Sequence, residues 1–164
     1  NKTVIRNYLR NQGKDEEFTL MQGEVYGKRI LEAKPMTGMA DALWKLKQKN
    51  IQMVLISHKT KTPYKGPKYN LREAAREWLK KHKFYEKDFL GWEEHQVHFA
   101  DSKEKKIEKI IELRCDAYID DLKEILMKLP DDIIKIHYCN EHGDNEGNNE
   151  IKTLRKWDEA EKYL

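Results

Sequence analysis

The chain has 164 residues, with 32 lysines and arginines against 29 aspartates and glutamates, for a formal net charge of +3. That length supplies one domain's core, and so mixed a balance excludes a binder that works by net positive charge alone. Apolar residues are 38% of the chain and fall in periodic groups, which excludes a disordered chain; no apolar run approaches the roughly 18 residues of a membrane span. Cys115 and Cys139 form no close-spaced motif, so the expected setting is reduced and cytoplasmic, with no membrane partner.

In chain order, Asn1–Arg10 reads as a helix and Phe18–Ile30 as strands or a flap. Residues 1–35 are expected to form a small flap or partial cap, and residues 36–164 an α/β core of the same single domain. Gly38–Lys49 carries Met39, Leu43 and Leu46 at helical spacing. Ile51–Ser57 (IQMVLIS) is short and apolar, and reads as a parallel strand buried on both faces. Leu71–Lys81 predicts a helix with Ala74, Ala75, Trp78 and Leu79 on one face, and Gln96–Phe99 a short strand. Ser102 is placed as an N-cap for a helix with Ile107, Ile110 and Ile111 as its buried stripe. Ala117–Asp120 (AYID) is a strand, Leu122–Leu129 a helix that stops before Pro130, and Ile133–Tyr138 another strand. Glu141–Glu150 is a polar loop, and Thr153–Leu164 a closing helix. Strands alternating with helices predict a doubly wound, Rossmann-like parallel sheet with helices on both faces.

In such a sheet ligands bind at the carboxyl ends of the strands. Ser57 ends one strand, and Asp120 and Asp121 end another. Lys103 opens the helix that follows the strand between them. A hydroxyl and an ammonium suit a phosphate. Two carboxylates facing a phosphate require a cation, and an oxygen-only site suits Mg²⁺. The loop after Ser57, HKTKTPYKGPKY, holds His58, Lys59, Lys61 and Tyr64 on the same rim and suits an anionic substrate with a sugar or base to stack on. His137, Cys139 and His142 have a loosely metal-like spacing, but His137 alternates within a strand and no fourth ligand is evident.

Over roughly Lys34 to Leu164, this pattern resembles the haloacid dehalogenase (HAD) superfamily of phosphohydrolases. Ile51–Ser57 resembles its second motif, Ser102–Leu113 (SKEKKIEKIIEL) its third, and Tyr118–Asp121 (YIDD) its fourth. The resemblance makes Ser57 and Lys103 the catalytic phosphate-facing groups, with Lys105 and Lys106 as substitutes for the lysine. It makes Asp121 the first metal ligand, with Asp120 beside it. It implies a HAD-like fold without a large cap domain, open to a bulky substrate or to closure by a second subunit in a homo-oligomer. The family's first motif, an Asp-x-Asp on a central strand between those ending here in Ser57 and Asp120, has no counterpart. The resemblance therefore implies an upstream nucleophile and a Mg²⁺-dependent phosphatase. It would act through a phosphoaspartyl intermediate on a small phosphorylated metabolite, such as a sugar phosphate or nucleotide. The competing expectation is a non-catalytic module of this fold that binds nucleic acid or another anionic partner through its basic rim.

Overall fold

A computed structural model describes residues 2–139 and 150–164, with side chains from residue 4 onward. The expected polar loop lies outside the described residues except for Glu150, as does His142. Two helices open the chain, α1 (Lys2–Asn11) and α2 (Asp15–Gly23), and α2 runs on through a π-turn at Glu24–Lys28 and a 3-10 turn at Ile30–Glu32. There follow α3 (Met39–Gln48), β1 (Leu55–His58), α4 (Leu71–Lys81), β2 (Val97–Ala100), α5 (Lys103–Glu112), β3 (Ala117–Asp120), α6 (Lys123–Leu126), β4 (Ile134–Tyr138) and β5 (Ile151–Leu154). A 3-10 helix over Trp157–Lys162 ends the described chain. The architecture is mixed α/β, and every strand pairing among the described residues is parallel.

Among the described residues the strands form two small sheets rather than one: β1 pairs with β2, and β3, β4 and β5 pair in that order. Among the described residues no backbone ladder joins β1 to β3. A side chain crosses the seam instead, where the Tyr118 hydroxyl of β3 donates to the Ile56 carbonyl of β1 at 2.6 Å. Both strands place alternate residues on opposite faces. Ile56 and Tyr118 enter one apolar cluster with Ile110 of α5 and Ile125 and Leu126 of α6. Leu55 enters a second, aromatic-rich cluster with Val97, Leu79, Phe84 and Trp92. Ile119 packs with Ile136, Leu154 and Ala160 in a third. Ile110, Leu126, Ile136 and Leu154 are fully buried, each contributing about 1.5–3 kcal/mol of apolar burial.

Several expectations are corrected here. Phe18–Ile30 is helical, not stranded: its half-buried positions Phe18, Gln22, Tyr26 and Ile30 recur every four residues and satisfy their backbone groups within their own turns. The strand expected over Ile51–Ser57 covers only Leu55–His58, and of these only Ile56 is buried. With one paired neighbour instead of two, residues 51–54 have no ladder, and the Gln96 side chain serves the Met53 carbonyl at 3.0 Å. The buried stripe of α5 contains Lys106 and Ile110, while Ile111 is 45% exposed. The closing helix loses its first turn to β5, which covers the open edge of β4 and buries Leu154 against Ile136. No described helix is long and apolar enough to cross a membrane.

Three helices that lead onward to strands end alike. Asn50, Lys83 and Arg114 follow α3, α4 and α5 with φ of 59°, 67° and 49°. Each sits where the chain closes the helix by two reversed hydrogen bonds, as in Ile51 N–H to Leu46 O and Asn50 N–H to Lys47 O.

Candidate active site

The carboxyl ends of β1 and β3 face the same seam from opposite sides, and the residues there differ in how they are held. At the β3 end, Asp120 is buried. Its Oδ1 accepts the Leu122 N–H at 3.0 Å, and its Oδ2 takes the ammonium of Lys106. Burial pushes the Asp120 carboxyl up, the neighbouring Asp121 adds to that push, and Lys106 and the Leu122 amide pull against it; the net direction is upward. Asp121 follows with an exposed side chain on the rim, and its carbonyl faces His137 Nε2 at 3.3 Å.

The lysine that meets the acidic pair is Lys106. Ser102 caps α5, its hydroxyl accepting Lys105 N–H at 3.2 Å, and that fixes the helix so that position 106 shares the inward face with Ile110. The Lys106 ammonium also lies 5.5 Å from the centre of the Tyr118 ring. Lys103, by contrast, pairs with Glu124 of α6, and its side chain is 36% exposed. The Glu124 carboxyl is held below its usual range chiefly by that hydrogen bond. A lysine within an apolar stripe was the available signal for Lys106, because a buried ammonium requires a buried partner.

At the β1 end, Ser57 is half-buried and His58 exposed. Ser57 is in register with Phe99 of β2, so its side chain belongs to the sheet face opposite the one that carries Ile56. The β1–β2 ladder continues one step, Lys59 N–H donating to Ala100 O at 2.9 Å. Arg72, at the start of α4, clips this end together: Nε donates to the Lys59 carbonyl at 3.0 Å and Nη2 to Asp101 Oδ1 at 2.5 Å. The basic loop then packs against the N-terminal helices. The Lys59 ammonium sits 4.8 Å from the Tyr26 ring centre, Lys65 pairs with Glu16, and the Tyr69 hydroxyl donates to Glu24 Oε2 at 3.3 Å. A Cβ on Gly27 would lie 2.6 Å from Tyr69, so only glycine permits this approach. Lys61 is exposed while its carbonyl accepts from Leu71 N–H at 2.8 Å. Tyr64 is 76% exposed.

The structure thus brings Asp120, Asp121 and Lys106 together, sets Ser57 across the seam from them, and directs Lys103 to Glu124. For a divalent cation the donor set is uneven. Both Asp120 oxygens have partners, whereas the Asp121 carboxylate stands on the exposed rim. Mg²⁺ takes one or two carboxylates and completes its shell with water and phosphate oxygens, so Asp121 fits that role and Asp120 fits an anchoring one. Among the described residues no group of three or more His, Cys, Asp and Glu side chains is gathered for a metal. Comparison with protein-family models, with curated proteins and with solved structures gave no match.

Proposed function

We propose that this protein is a Mg²⁺-dependent phosphohydrolase of the HAD type, acting on a small phosphorylated metabolite. The observation that carries the reading is the seam. Two parallel sheets face each other with edges that no ladder joins among the described residues, and a hydroxyl, a lysine and an acidic pair stand at the carboxyl ends that flank it. In this reading an extended segment upstream of residue 1 takes over the Ile56 carbonyl that Tyr118 now reaches, fills the seam as a parallel strand, pairs with both edges, and brings an Asp-x-Asp to the rim between Ser57 and Asp121. The doubly wound HAD-like sheet would then be continuous.

The roles follow from the chemistry of each group. The upstream aspartate attacks phosphorus and forms a phosphoaspartyl intermediate that water then cleaves. Ser57 donates a hydrogen bond to a phosphoryl oxygen. Lys106 supplies positive charge to the same group, a role the sequence pattern gave first to Lys103. Asp121 holds the metal, with Asp120 and Lys106 fixing the turn beneath it. When bound, Mg²⁺ neutralises charge on the phosphoryl oxygens. His58, Lys61 and Tyr64 remain on the open side of the rim for the rest of the substrate, while Lys59 reaches it from its place over Tyr26.

The natural protein tests this directly. Its N-terminal sequence should contain an apolar run ending in Asp-x-Asp. It should hydrolyse p-nitrophenyl phosphate only with Mg²⁺, and Asp121→Asn should cost about 100-fold or more in kcat. Absence of the Asp-x-Asp, or turnover indifferent to Asp121→Asn, overturns the proposal. Steeply salt-dependent nucleic-acid binding without turnover would replace it with the binding-module reading.

A further inference from the structure

His137 is buried on β4, and packing does not explain its chemistry. It is in register with Asp120 on one side and with Thr153 on the other. Its Nε2 lies 3.3 Å from the Asp121 carbonyl oxygen. A carbonyl only accepts, so Nε2 is the donor in this contact. Its Nδ1 is buried and has no hydrogen-bond partner among the described residues. An unsatisfied buried nitrogen costs stability that an apolar ring of the same shape would not. What the imidazole adds in return is its bond to Asp121.

The bond acts on a single peptide group. The carbonyl of Asp121 and the N–H of Leu122 belong to the same plane. His137 holds the carbonyl, and Asp120 Oδ1 accepts the N–H at 3.0 Å. Asp120 is in turn tied to Lys106 of α5. The peptide that leaves Asp121 is therefore clamped at both ends, by a β4 side chain and by a carboxylate anchored to a helix. With ψ of Asp121 and φ of Leu122 restrained in this way, the Cα–Cβ bond that carries the exposed Asp121 carboxylate leaves the rim in one direction.

We infer that His137 is a positioning residue that fixes the Asp121–Leu122 peptide and so aims the Asp121 carboxylate. Its functional consequence rests on the metal role proposed above for Asp121, while the clamp itself does not. Two variants separate the bond from the packing. His137→Phe fills the space without a donor, and His137→Gln places an amide N–H near the position of Nε2. Amide hydrogen exchange at Leu122, read by NMR in the full chain, reports the clamp. Calorimetric titration with Mg²⁺ alone reports the consequence.

The expected result is exchange at Leu122 about tenfold faster in His137→Phe, Mg²⁺ affinity weaker by about tenfold, and recovery of most of both in His137→Gln. Unchanged Leu122 exchange in both variants, or equal acceleration in both, overturns the positioning role. If the unsubstituted chain binds no Mg²⁺ while Leu122 exchange still separates Phe from Gln, the clamp stands and the metal role of Asp121 fails. If Mg²⁺ binds and neither variant moves Leu122 exchange, the metal role stands and the clamp fails.

Discussion

The β3 end and the β1 end of the rim hold their charges in opposite ways. At the β3 end the charged groups lie within the packed layers: Lys106 and Asp120 are buried together, each surrounded by groups that fix it. At the β1 end the charge lies on a surface loop and is restrained by aromatic and ionic contacts with the N-terminal helices, Lys59 over Tyr26 and Lys65 with Glu16. Removing water makes an ion pair both stronger and harder to leave unpaired. The β3 end is therefore rigid because any single loss there is costly. The β1 end is adjustable because its pairs compete with solvent. For a site that fixes a metal and accommodates a substrate, those are the two behaviours required.

The largest test of this contrast is Lys106→Met. It should leave a buried carboxylate without its cation and lower unfolding free energy by about 3–5 kcal/mol. Adding Asp120→Asn to the same chain should restore part of the loss in urea titrations. A double variant no more stable than the single one would remove the pair from the account. Gly27→Ala comes next. The new methyl collides with the Cβ and ring of Tyr69, an overlap of the kind that costs about 1–3 kcal/mol. The N-terminal helices should then become the first site of limited proteolysis while the β3–β5 sheet keeps its protection.

In the chain of residues 1–164, where nothing else among the described residues reaches the Ile56 carbonyl across the seam, Tyr118→Phe should cost about 1–2 kcal/mol by removing its donor. This residue also predicts a pH dependence. Burial, and secondarily Asp120, pushes the Tyr118 hydroxyl well above the ordinary phenol range. The folded protein therefore keeps a proton that the unfolded chain releases near pH 10. The associated stability is complete below that pH and falls by about 1.4 kcal/mol for each unit above it. Tyr118→Phe should flatten that alkaline decline in denaturant titrations. The smallest effect belongs to Lys103→Ala, whose exposed pairing with Glu124 should be worth less than about 1 kcal/mol and fade with salt. A loss there as large as that of Lys106→Met would erase the distinction between the two lysines.

Much of the core was legible because its signals are local. Ser102 caps α5 as its side-chain oxygen requires, and Asn70 caps α4 in the same way. Of the face read for α4, Ala75 and Leu79 are buried, with Leu71 joining them, while Ala74 and Trp78 are half-buried; AYID and IIKIHY mark strands. The features that escaped depend on partners far away in the chain. β5 was hidden because Ile151–Leu154 is polar enough to extend a helix and becomes a strand only through the edge of β4. β1 was drawn too long because pattern alone assumes two neighbours. The strands or flap expected at Phe18–Ile30 gave way to helical packing against α4 and the loop before it. At the site, the resemblance ranked Asp121 ahead of Asp120 as a metal ligand but gave neither a partner. Only the fold gives one a lysine and the other open solvent. Lys106 and His137 were visible as residue types, but their bonds run across 14 and 16 positions of chain.

The three left-handed helix ends suggest where this protein could be made more heat-resistant. Asn50, Lys83 and Arg114 bear side chains in a backbone region that penalises a Cβ by about 1–2 kcal/mol. None of the three belongs to the rim. Glycine at each would relieve that penalty, less the extra freedom it gives the unfolded chain. Combined, the three exchanges would raise the melting temperature while leaving the chemistry at the other end of the strands untouched.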